Sequence, residues 1–97
     1  MSYKLEFRPL ANLEISEAFD CYESRKAGLG HEFLDEIEAF CFRLLDNPFT
    51  HSFFDEPVRQ GVLNRFPYCI VYEVFENIVI VYSVFMAKQD PAKKRTK

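Results

Sequence analysis

The chain has 97 residues, of which 48% are hydrophobic and 16% aromatic, and it carries a net charge of −3. That length holds one core rather than two, and that apolar content excludes intrinsic disorder. The acidic balance lacks the basic footprint that supplies most of the affinity of a nucleic-acid binder.

From the N-terminus, Tyr3, Leu5 and Phe7 alternate with Lys4, Glu6 and Arg8, the period-two pattern of a half-buried strand that Pro9 stops. Ala11, Ile15, Ala18, Phe19 and Tyr22 then recur at helical spacing, with Glu14, Glu17, Asp20 and Glu23 on the opposite side. Gly28 and Gly30 break this helix and suit a tight connection. A second helix is predicted from Leu29 to Asp46, with Phe33, Ile37, Phe40 and Leu44 on one face and Leu34, Cys41 and Leu45 widening it. Asn47-Pro48 ends it, because the residue before proline is driven out of the α region.

Residues 49–57 read as an irregular connection, followed by strands over 58–64, 68–75 and 78–86. Glu76-Asn77 is a two-residue hairpin turn in which Asn takes the positive φ. That turn pairs Phe75 with Ile78, Tyr72 with Val81 and Tyr68 with Phe85. Val71, Phe75, Ile78, Ile80 and Tyr82 then share one face, and Ile70, Val74, Val79, Val81 and Phe85 the other. The class is α+β, a helical hairpin on an antiparallel sheet. One helical hairpin covers one face only, so a second apolar face is left over.

Cys21, Cys41 and Cys69 are odd in number and widely spaced, which excludes a disulfide framework and a C-x-x-C metal site; they read as buried free thiols. Neither a metal nor a cofactor is expected. No secretion signal or membrane-spanning run is present in the sequence, so the expectation is a cytoplasmic protein with no membrane partner. His31 reads as a surface residue opening the second helix, and His51 falls in the connection.

The order β-α-α-β-β-β resembles the RelE/ParE superfamily of bacterial type II toxins. The resemblance is carried by Tyr22-Glu23, by Gly28-Leu29-Gly30 with Phe33-Leu34-Asp35-Glu36-Ile37-Glu38, and by Asn47-Pro48 and Val58-Arg59. Arg65-Phe66-Pro67-Tyr68, Ile70, Tyr72 and Asp90-Pro91 complete it. It implies a single toxin domain over residues 1–91 and a basic tail over 92–97. It also implies a plasmid-stabilisation type of role and a cognate antitoxin that wraps the toxin.

The resemblance offers two modes of action. RelE-like members cleave mRNA on the ribosome with clustered cations and tyrosines, and ParE-like members inhibit DNA gyrase by binding it. The positions where the nuclease pattern holds cations carry Gln60, Val62, Cys69 and Gln89 here. An RNA-cleaving centre needs cations for the developing phosphate charge. The chain therefore reads as ParE-like, acting by protein binding, with DNA gyrase as the candidate target. Arg59, Arg65, Tyr72, Phe85 and Lys88 are its candidate contacts. The alternative is a ribosome-dependent endoribonuclease working through Arg65, Tyr68, Tyr72 and Lys88, or an attenuated, non-toxic antitoxin-binding protein. A homodimer through the uncovered face is a further option.

Overall fold

A computed structural model describes residues 3–87. The elements run β1 (Lys4–Phe7), α1 (Pro9–Arg25), α2 (Leu29–Asp46), β2 (Phe53–Asp55), β3 (Val58–Val62), β4 (Tyr68–Phe75) and β5 (Ile78–Met86). The strands form one sheet in the order β1-β5-β4-β3-β2. Strands β2 to β5 are an antiparallel meander, and β1 lies parallel to β5 at the edge. The α+β reading therefore holds, with one short strand added.

Pro9 is the first residue of α1, where its missing N–H costs no helical bond and its fixed φ favours the turn. Ala11, Ala18 and Tyr22 are the buried residues of this helix, and the two alanines let it lie close to β5. Gly28 has φ +91° and starts α2 from the left-handed region. Gly28 has no side chain to cap α2, so Glu23 does it. Its carboxylate accepts the N–H of Gly28 at 2.8 Å and of Gly30 at 2.9 Å, which holds it below the usual carboxylate range. Gly30 is a contact glycine inside α2 rather than a helix breaker. A Cβ there would lie 2.7 Å from Phe19 Cδ1 and 2.8 Å from its carbonyl, so the bare backbone is what lets α1 and α2 approach.

Both helices lie on one face of the sheet. Phe33, Ile37, Phe40, Cys41 and Leu44 of α2 form one core with Ile70, Tyr72, Val79, Val81 and Val84. Desolvation pushes the Cys41 thiol up to about 11, so it stays protonated. Cys69 is buried as expected, but Cys21 is exposed on α1.

Three details of the sheet differ from the sequence reading. The 49–57 connection contains β2, whose three residues are all exposed and therefore show no alternation. The positive φ of the β4–β5 turn, +56°, falls on Glu76 and not on Asn77. A β-bulge at Tyr82 shifts the hairpin by one residue: Tyr72 pairs with Val81, but Val71 pairs with Ser83, Cys69 with Phe85 and Tyr68 with Met86. Phe85 consequently sits on the face away from the helices, not on the core face.

A candidate docking face and the placement of the site residues

The cations and tyrosines named from the sequence do not form one cluster. Arg59, on the helix side of β3 opposite Tyr72, donates from Nη1 to the carbonyls of His51 at 2.6 Å and Phe49 at 3.4 Å. Its guanidinium lies 4.1 Å from the Phe53 ring centre and 5.3 Å from that of Phe49. The residue thus pins the chain between α2 and β3. Arg65 stands in the β3–β4 turn, where its Nη2 donates to Glu32 Oε1 at 2.6 Å. Its own N–H and that of Asn64 donate to Glu36. The Glu32 carboxyl is held below its usual range by this arginine.

Tyr72 is fully buried, and its hydroxyl donates to the Pro48 carbonyl at 2.8 Å, tying β4 to the end of α2. Burial holds its hydroxyl protonated and above the usual range. Tyr68 packs in an aromatic cluster with Tyr22, Phe33 and Phe66, in which ring centres lie 4.9 Å (Tyr22–Phe66) and 5.2 Å (Phe33–Tyr68) apart. It also edges an open cleft of about 240 Å³ that Glu14, Cys21 and Phe85 help to line. Lys88 and the Asp90-Pro91 pair lie outside the described residues.

His51, set aside at the sequence level, is a packing residue. Its ring stacks on Phe40 at 5.1 Å and meets Tyr72 edge-on, and burial, with Arg43 and Arg59 nearby, lowers its affinity for a proton. Glu14 is likewise no free surface acid. β1 covers β5 only as far as Val81, and beyond it one Glu14 oxygen accepts the Val84 N–H at 2.7 Å and the Ser83 hydroxyl at 2.8 Å. Neither role was legible, because the partners lie far along the chain.

Among the described residues no helix or loop packs on the face away from the helices, here called the open face. Val71 and Cys69, each 7% exposed, are buried on this side but stand outside the core cluster. Around them lie Ile78, Ile80 and Phe85, half-buried, and Val62 and Phe75, each more than half exposed. No residue of this face on β3, β4 or β5 is Lys or Arg: the polar positions are Gln60, Glu73, Tyr82 and Ser83. Tyr82 donates its hydroxyl to Glu73 Oε1 at 2.6 Å. An apolar face of this extent suits a protein partner. At its β3, β4 and β5 positions it offers no cation to a phosphate. Among the described residues no group of His, Cys, Asp and Glu could hold a metal ion, and no helix is long and apolar enough to cross a membrane.

No family model matches the chain, and no curated protein is significantly similar to it. Solved structures do match. A chain of the chromosomal ParDE TA system from P. aeruginosa aligns with a TM-score of 0.74 at 15% identity, covering 89% of this chain and 97% of that one. A mutant E. coli toxin RelE in complex with an antitoxin RelBc peptide aligns at 0.69 and 22% identity over 100% and 96%. The isolated E. coli RelE toxin aligns at 0.65 and 18% identity over 97% and 94%. The chain has the fold of the RelE/ParE superfamily toxins.

Proposed function

We propose that this protein is the toxin of a type II toxin–antitoxin pair, that it is ParE-like, and that it acts by binding a protein rather than by cutting RNA. The fold likeness, nearly full length on both chains, supports the toxin reading. Among the similar structures are E. coli RelE in complex with a RelBc antitoxin peptide and the intact E. coli RelBE toxin–antitoxin complex, which supports a cognate antitoxin here.

One observation carries the choice of mode: the open face is apolar and acidic where an RNA-cleaving face needs cations. Cleavage at a 2′-hydroxyl requires a proton acceptor and positive charge at the phosphate. Arg59 and Arg65 are each engaged within the fold, Tyr72 is sealed in the core, and His51 is stacked under β3. A protein target such as DNA gyrase suits an apolar, acidic face better than a polyanion does.

The test is induced expression in a host lacking the antitoxin, followed by assays on the purified chain. Growth arrest with inhibited gyrase supercoiling and intact mRNA is the expected result. Codon-dependent mRNA cuts on translating ribosomes would overturn it in favour of the endoribonuclease. Harmless expression would leave an antitoxin-binding protein without toxicity.

A further inference from the structure

The sheet ends in two edge strands that are guarded differently. β2 is three residues long, breaks register between Phe53 and Asp55 and runs toward Pro57, features that keep an edge from pairing. β1 keeps an unbroken register with β5 from Lys4 to Phe7 and holds no proline or glycine. The Lys4 N–H donates to the Asn77 carbonyl and the Arg8 N–H to the Val81 carbonyl, so the even-numbered residues turn their backbone groups to β5. By alternation the N–H and C=O groups of Tyr3, Leu5 and Phe7 point outward from the sheet. Among the described residues no strand pairs with that edge. The side chains divide by face: Tyr3, Leu5 and Phe7 pack against the core, and Lys4, Glu6 and Arg8 are exposed on the open side.

We infer that β1 is a self-pairing edge: two copies of the chain join their β1 strands antiparallel, about a two-fold axis through Leu5, and fuse their sheets into one. In this register Leu5 faces Leu5 of the second copy, Tyr3 faces Phe7, and Lys4 faces Glu6. The outward groups of Leu5, Tyr3 and Phe7 then meet as hydrogen-bonded pairs. Lys4 and Glu6 fall at the positions between, where Cα atoms are about 4.5 Å apart and side chains approach most closely. Both pairs bring opposite charges together, and Glu6 keeps Arg8 of its own strand at 3.3 Å. On the helix side Leu5 packs on Leu5 and Tyr3 on Phe7, extending two half-buried edges into one apolar strip. The other registers fail. An axis through Glu6 sets Glu6 against Glu6 and Lys4 against Arg8, and one through Lys4 sets Lys4 against Lys4. An axis through Phe7 needs a ladder bond from Pro9, which has no N–H and already begins α1. A slip of one residue turns outward groups onto inward ones. The charges on β1 thus reject most pairings and admit one. Such an isologous contact places both helical hairpins on one side and both open faces on the other, so the copies meet at the edge and not through the open face.

The test uses the purified full chain and does not depend on whether the chain is toxic. Sedimentation from about 1 to about 500 µM is expected to show a monomer passing into a dimer, because an interface this small holds weakly. Lys4→Glu and Glu6→Lys each set like charges opposite one another twice in the symmetric pair, and each should weaken self-association about tenfold or more. Mixed in equal amounts, the two variants are expected to pair with each other about as tightly as wild-type copies do, since every charge then meets its opposite. That recovery also requires both variants to be folded. In the wild-type chain, hydrogen exchange of the Leu5 and Phe7 amides should slow severalfold as concentration rises, while the Lys4 and Arg8 amides, already bonded within the chain, change little. A monomer at every concentration, self-association that survives both substitutions, or a mixture no tighter than either variant alone would overturn the inference.

Discussion

The two faces of this sheet are built from the same strands and nearly the same residue types, yet they have opposite fates. On the helix side Ile70, Tyr72, Val79, Val81 and Val84 are all at or below 1% exposure. One residue along, Phe75 is 55% and Val62 53% exposed. Hydrophobic content alone does not make a core: two helices supply one lid, and the second apolar face has none among the described residues. What separates the faces is cover, since α1 and α2 both pack on the same side.

The largest effect expected from this comparison is on the covered face. Ile70→Ala should lower stability by about 2–5 kcal/mol through lost transfer energy and a cavity, read as a fall in the urea midpoint at unchanged slope. Gly61→Ala comes next. The added Cβ would stand 2.6 Å from Phe40 Cζ and 2.9 Å from His51 Cε1, an overpacking worth about 1–3 kcal/mol. A loss from Ile70→Ala as small as that of an outer-face substitution would erase the distinction between the faces.

Two smaller effects sharpen it. Glu76→Gly should stabilise by up to about 1 kcal/mol, because relief of the left-handed strain at φ +56°, about 1–2 kcal/mol, outweighs the backbone freedom that glycine adds to the unfolded chain. His51 binds its proton less readily in the fold than in the unfolded chain. Its contribution is therefore complete above the unfolded value near 6.5 and is lost as pH falls below that value through the lower folded one. Urea midpoints between pH 7.5 and 5.5 should drop, and His51→Phe should flatten the part of that drop due to this ring. The least effect belongs to the open face: Phe75→Ser should change stability by no more than about 0.5 kcal/mol.

Much of this architecture was readable from spacing. The stripe of Phe33, Ile37, Phe40 and Leu44 located α2 and Asn47-Pro48 its end, and the alternation of Tyr3, Leu5 and Phe7 found β1. The left-over apolar face was also visible, because residues 70–86 are apolar at both parities. That same property hid the bulge: where Val79 to Phe85 is apolar in either register, a one-residue slip leaves no trace in the pattern. Phe85 was placed on the wrong face for that reason. The site residues were legible as types but not as partners. Arg65 and Arg59 stood out as cations near the sheet, whereas Glu32, 33 residues away from Arg65, and the His51 carbonyl only meet them in space.

The account rests on one side of the sheet being sealed by the helices and the other having no cover among the described residues, and methyl groups report this directly. With a soluble paramagnetic agent, relaxation of the Val62, Ile78 and Ile80 methyls is expected to rise severalfold above that of Ile70, Val79 and Val81. Equal protection of the two sets in the isolated chain would mean that the open face is covered, and the docking surface would be lost.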